Sequence, residues 1–250
     1  MTTAHAEAER EARRTAIILA AAQAVVGSAG PICFALGALA GHYMLGADKS
    51  LATAPITGFN IGVALGALPA AAIIRRLGQR DGFLTGTGIT ALGGLAATIA
   101  LFQSSFWGFA FGLLLIGVGG AFVQQFRFAA ADNAPPEFKA RAISFVLAGG
   151  VITAVLGPQV VIFTKDLLAP VAFAGAFAAV IVLSGFGGLI LAFLRVEPSS
   201  KAVKAVVGTG RSLGEIVTQP RFAVALLCAV GSFALMTFVM TGAPLAMVGC

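Results

Sequence analysis

Long apolar runs, each about 20 residues or more, recur along the whole chain and are separated only by short clusters of charged or turn-forming residues. No other feature constrains the fold so tightly. In hydrocarbon every backbone N–H and C=O must be bonded within the protein, so such runs form either membrane-crossing helices or the strands of a closed barrel. These runs are rich in Gly and Ala and lack period-two alternation, which excludes the barrel and leaves an all-α, polytopic transmembrane helix bundle. Only 10% of the residues are charged and the mean hydropathy is +0.97, so no sizeable water-soluble domain fits within the 250 residues.

The charges place the boundaries. Residues 1–14 form a charged, Ala-rich N-terminal segment, and the apolar run behind it is too long for the hydrophobic region of a cleavable signal. Six spans follow over residues 15–194: about Thr15 to Gly41, Ala54 to Ile74, Gly82 to Phe102, Phe106 to Ala131, Ala142 to Thr164 and Pro170 to Leu194. Residues 195–220 are the one long polar connection. There Lys201, Lys204 and Arg211 interleave with Val203, Val206, Val207, Leu213 and Ile216, which fits either an amphipathic helix on the inner membrane surface or a solvated linker. A seventh span occupies residues 221–250 and is still apolar at Cys250, so the chain is expected to be a truncated piece of a longer protein.

Of the 16 Lys and Arg residues, all but Lys49 and Lys165 fall on the side of the membrane that holds the N-terminus. That asymmetry predicts a cytoplasmic N-terminus in the cytoplasmic (inner) membrane. The net charge of +6 is therefore read as topology and not as a nucleic-acid-binding surface, since no continuous basic face exists. Cys33, Cys228 and Cys250 lie in apolar segments without metal-ligand spacing, so the sequence indicates neither a metal nor a cofactor. A membrane-embedded enzyme would need His, Asp, Glu or Cys clustered at one membrane depth, and no such cluster is present.

The turn after the second span reads Ala71-Ala-Ile-Ile-Arg75-Arg76-Leu-Gly78-Gln79-Arg80. It resembles the Gly-x-x-x-Asp-Arg-x-Gly-Arg-Arg hallmark of the major facilitator superfamily of secondary transporters. Arg76, Gly78 and Arg80 match, while Ala71, Arg75 and Gln79 stand for Gly, Asp and Arg. The fifth span, with Gly149, Gly150, Gly157 and Pro158, is similar to that family's Gly-rich, Gly-Pro-ended fifth helix, and the loop from Pro135 to Arg141 resembles its proline and basic loop. Leu113 stands where the family usually has an Arg in the fourth span, so that residue's coupling or substrate role is not implied here. The resemblance implies six-helix halves made of inverted three-helix repeats, a partner C-terminal half, a midplane substrate site and no enzymatic activity. Within it, Arg75, Arg76, Gly78, Arg80 and Asp132 would form a gating loop, and Gly149, Gly157 and Pro158 a helix-packing face.

Polar residues inside spans are the remaining signal, because each is unfavourable in lipid unless it faces a partner or a water-filled cavity. Gln23, Ser28, Asn60, Gln124, Arg127, Thr153 and Gln159 are the candidate substrate contacts. Gln124 and Arg127 share a helix face, so Arg127 faces a solute, pairs with Asp132, or snorkels to the inner surface. Gly27-Ser28-Ala-Gly30-Pro31 either breaks the first span or merely kinks it.

The expected function is transport of a small organic solute by alternating access; a non-transporting scaffold or half-transporter is the alternative. Sugars, vitamins such as flavins, organic anions and drugs all remain open as substrates. The charge asymmetry predicts that an alkaline phosphatase fused after Lys165 is active and one fused after Arg80 is inactive; the reverse pattern would invert the topology.

Overall fold

The structure, a computed structural model, describes residues 3–45, 50–194 and 219–248, with side-chain environments from residue 7 to 242. The expected connection at 195–220 thus lies outside the described residues except for Gln219 and Pro220, as do Asp48, Lys49 and Cys250. Residues 1–197 form one compact unit and residues 198–250 a second.

The first unit contains α1 (Thr3–Val26), α2 (Ala29–Met44), α3 (Ala54–Leu77), α4 (Gln79–Phe102), α5 (Phe106–Val123), α6 (Phe126–Asp132), α7 (Lys139–Thr164) and α8 (Ala174–Ala192). The second contains α9 (Pro220–Val248), which opens on Pro220, where the missing N–H leaves no bond unmade. Among the described residues seven helical segments are long and apolar enough to cross a membrane, six of them in the first unit, where α1 with α2 and α5 with α6 each make one span. Residues 3–14, expected as a separate segment, continue helically into span one.

Turn chemistry fixes several boundaries. A single residue, Gly78, joins α3 to α4 at φ +89°, a conformation that glycine adopts without strain. Ser105 caps α5 by accepting the Gly108 N–H at 3.4 Å. Helix α8, the sixth span, is shorter than expected and starts at Ala174, after turns at 165–172, with the Phe173 N–H bonding the Lys165 carbonyl.

Lipid tails are as apolar as leucine, so close van der Waals approach must hold such helices together. Here glycine provides it. In α3, Gly58, Gly62 and Gly66 form a ridge on which a Cβ would strike the carbonyls of Ala110, Leu114 and Val118 in α5. The reciprocal is Gly117 of α5, lying against the carbonyl of Phe59. The seam of span one with α7 has the same step of four: Gly149 lies on the Ala20 carbonyl and Thr153 bonds the Gln23 carbonyl of α1, and Gly157 packs on Pro31 of α2. Helix α4 runs antiparallel to α5 and α6 through Phe83 on Phe126, Gly86 on Phe122, Thr90 on Gly119, Gly93 on Ile116 and Ala97 against Gly112. Its alternating steps of three and four are those of a shallow-angle helix pair. Its other face packs on α8 through Gly94 and Gly188.

Large apolar side chains cover the outside, with Leu68, Val151, Phe163 and Leu189 all well exposed, as a lipid-facing surface requires. Replacing Gly62 by Leu forces α3 off α5 and is expected to destabilise the unit by about 1–3 kcal/mol or abolish folding. The Gly88→Leu control, with open space at its Cβ, should leave the thermal unfolding midpoint in detergent unchanged.

Candidate functional site

Two spans are broken, and the breaks lie beside the candidate polar residues. In span one α1 ends at Val26 and α2 begins at Ala29. The Ser28 N–H turns from the carbonyl four residues back to that of Val25 at 3.3 Å, tightening the chain. The Ala24 carbonyl, deprived of that partner, accepts the Ser28 hydroxyl at 2.7 Å instead. Pro31 removes the donor for the Gly27 carbonyl, which the Gly30 N–H replaces at 3.1 Å. Span one is therefore interrupted where the Gly, Ser and Pro residues predicted a break or kink.

Span four was expected as one helix and is not. Helix α5 ends at Val123, α6 starts at Phe126, and the Gln125 N–H bonds the Phe122 carbonyl at 3.0 Å in a tight turn. Neither Gly nor Pro occupies Gln124 or Gln125, so no local signal marks this break.

Between the breaks lies a cavity of about 80 Å³ lined by Gln23, Gln124, Arg127, Val123, Val146, Leu147 and Gly150. Spans one, four and five supply these residues. The Arg127 Nη2 donates to Gln124 Oε1 at 3.3 Å, and its guanidinium carbon lies 5.2 Å from the centre of the Phe128 ring. The Gln23 side chain lies over Gly27, where a Cβ would come within 2.8 Å of its Nε2. The site thus presents one fixed positive charge, two primary amides and an aliphatic wall. Its lining contains no carboxylate. Such a set offers hydrogen bonds to carbonyl or anionic oxygens and lays a flat apolar body against Val123, Val146 and Leu147.

The structure brings Gln23, Gln124 and Arg127 together, and Thr153 joins them indirectly. Its hydroxyl donates to the Gln23 carbonyl at 2.8 Å and lies near those of Ala24 and Gly149, so it braces α7 on α1. Ser28 is fully buried and spent on its own helix. Asn60 donates its Nδ2 to the Ile56 carbonyl at 3.1 Å, and Gln159 is exposed on α7; neither lines the cavity. Asp132 is exposed and makes no ion pair with Arg127; among the described residues the one salt bridge joins Lys165 to Asp166 at 3.8 Å. Arg75, Arg76 and Arg80 are exposed around the Gly78 turn, and α7 runs through Pro158 with Gly149 and Gly157 on its buried side.

Sequence reasoning missed Asn133. Its Nδ2 donates to Gln79 Oε1 at 2.6 Å and to the Ala129 carbonyl at 2.7 Å, tying the end of α6 to the start of α4. A pairing across 54 residues has no local sequence signature.

A sequence profile of the Major Facilitator Superfamily matches residues 14–248. The chain is 44% identical over 238 residues to the riboflavin transporter RfnT of Brucella anthropi, a match covering 95% of this chain and 60% of that protein. It is 30% identical over 198 residues to the uncharacterized MFS-type transporter YdeG of Bacillus subtilis, covering 78% of this chain and 46% of the relative. The chain thus spans less than two thirds of the length of either relative. No solved protein structure matches it.

The Thr153 bond predicts that Thr153→Val, which keeps the shape and removes the donor, lowers stability by about 0.5–1.5 kcal/mol, read as a lower thermal midpoint in detergent. An unchanged midpoint would show that the hydroxyl does not brace the two helices.

Proposed function

The chain belongs to the major facilitator superfamily, and on that premise we propose that it is part of a secondary transporter that moves a flat, carbonyl-bearing organic solute, riboflavin foremost, by alternating access. The observation that carries the reading is the single cavity wall in which Gln23, Gln124 and Arg127 converge beside two helix breaks. Interrupted spans at corresponding places in two repeats are where transporters bind their substrates. A volume of about 80 Å³ is a fraction of the roughly 300–1,000 Å³ of a complete small-molecule site. The matched relatives are longer than this chain, and a second helix half would supply the opposing wall.

The packing supports reading the first unit as two inverted three-helix repeats. If spans one, two and three correspond to four, five and six, the α3–α5 seam corresponds to the α7–α1 seam, and the α4–α8 contact maps onto itself. The ridge of Gly58, Gly62 and Gly66 then has its counterpart in the face of α7 that carries Gly149, Thr153 and Gly157. Rocking of this half against its counterpart would open the cavity to either side. The exposed Arg75, Arg76, Arg80, Lys139 and Arg141 would mark the cytoplasmic end.

Riboflavin fits the lining by chemistry. Its ring system is planar and uncharged and carries carbonyl oxygens on one edge, which the Arg127 guanidinium and the Gln23 and Gln124 amides can bond while the aliphatic wall takes the ring face. The similarity to the riboflavin transporter points the same way. In a riboflavin-auxotrophic bacterium expressing the whole reading frame, labelled riboflavin should be taken up. Arg127→Ala and Gln124→Ala should each reduce uptake about tenfold or more, as loss of a charge-assisted hydrogen bond would. Uptake that persists unchanged in both variants removes the site, and absence of uptake by the unmodified protein removes the substrate.

A further inference from the structure

The substrate side chains of span four are not held in place by span four itself. Arg127 lies in α6, a helix of 7 residues beyond the break at Gln124 and Gln125, and a helix this short has no intrinsic stability. Something outside it must set its direction, and with it the aim of the guanidinium.

Helix α4 meets that need. Gln79 and Phe83 are one turn apart and so lie on one face of α4; Phe126 and Asn133 lie two turns apart on one face of the α6 segment. The two faces meet antiparallel. The Phe83 and Phe126 rings, each almost fully buried, pack edge to face with centroids 4.8 Å apart. At the other end Asn133 uses both hydrogens of Nδ2, one to close the last turn of α6 at the Ala129 carbonyl and one to reach Gln79 at 2.6 Å. The same face of α4 continues past the break onto α5 through Gly86 on Phe122 and Thr90 on Gly119. A straight helix is thus fastened on both sides of a broken one, as a splint is. Arg127 follows Phe126 and is rotated about 100° from it, so seating Phe126 in the core turns Arg127 out, where it is exposed along the cavity.

We propose that Gln79, Phe83 and Asn133 are positioning residues for the substrate site, splinting the break in span four so that Gln124 and Arg127 meet the solute in a fixed geometry. The inference rests on the reading of the cavity as the substrate site. Both partners in the polar tie are neutral amides, so the splint holds equally across the physiological pH range.

The test is a double-mutant cycle on uptake kinetics in cells, normalised to the amount of protein in the membrane, with riboflavin as the probe. Gln79→Ala and Asn133→Ala should each raise KM about three- to tenfold with little change in maximal rate. In an Arg127→Ala background, Gln79→Ala should have a smaller effect than in the unmodified protein, because part of that effect passes through the guanidinium. The length-conserving swap of Gln79→Asn with Asn133→Gln should restore at least part of the lost affinity. Phe83→Leu, which keeps the core filled, should behave like Gln79→Ala even where Phe83→Ala fails to fold.

Unchanged KM in Gln79→Ala, or additive effects of Gln79→Ala and Arg127→Ala, would overturn the splint while leaving the cavity reading standing. Unchanged uptake in both Arg127→Ala and Gln124→Ala would overturn both. If riboflavin is not transported, Gln79→Ala should still alter the rate at which an Arg127→Cys thiol is alkylated in a variant with Cys33, Cys228 and Cys250 replaced by Ala. An unaltered rate would sink the proposal without reference to any substrate.

Discussion

Close approach of helix backbones is the constraint on which everything else in this molecule depends. With lipid on the outside, burying apolar surface between helices gains little, and association rests on dispersion between surfaces that fit. The Gly58–Gly62–Gly66 ridge meets this condition by letting backbone carbonyls of α5 sit where side chains would otherwise stand. The same logic explains why large residues such as Phe83, Phe109, Phe122, Phe126 and Phe177 are buried only where a glycine or alanine faces them or another ring meets them edge-on.

Tight seams also make interrupted spans affordable. Each break turns backbone groups away from their regular partners, and in a membrane an unbonded one would cost several kcal/mol. In span one the replacements are local: Ser28 bonds Ala24, and Gly30 bonds Gly27. Thr153 adds one donor from a neighbouring helix. In span four the replacement is also local, the Gln125 N–H bonding the Phe122 carbonyl. The polar residues nearest the cavity are therefore of two kinds. Gln23, Gln124 and Arg127 are turned towards it, whereas Ser28 and Thr153 keep the broken backbone satisfied.

That division marks how far the sequence was readable. Span number, the order of the charged turns, the tight turn at Gly78 and the weak point at Gly27 to Pro31 all follow from local chemistry, because apolar length, charge and Gly or Pro act on their immediate surroundings. The cavity was partly legible: a polar residue in an apolar run announces itself, and Gln23, Gln124 and Arg127 were among the candidates. Ser28, Asn60 and Gln159 carried the same signal but do not line it, since whether a hydroxyl or amide bonds its own preceding turn depends on which face packing turns inward. The Gln79–Asn133 tie was invisible because its partners lie 54 residues apart on different helices, and no Gly or Pro stands at Gln124 or Gln125 to mark the break. The ridge Gly58–Gly62–Gly66 was present in the sequence, yet composition alone did not distinguish it from the many other glycines.

The two small-residue seams differ in chemistry: Gly58, Gly62 and Gly66 line the α3–α5 seam, whereas the α7 face carries Thr153 between Gly149 and Gly157. Along α3 and α5 the contact is made of shape alone, so a small slip there exchanges one set of van der Waals neighbours for another. Along α1 and α7 the same slip must first draw the Thr153 hydroxyl from the Gln23 carbonyl towards that of Gly149 on its own helix, which lies 3.2 Å away. One seam is thus held by shape alone and the other carries a polar tie as well, and that tie sits on the residue whose side chain faces the cavity.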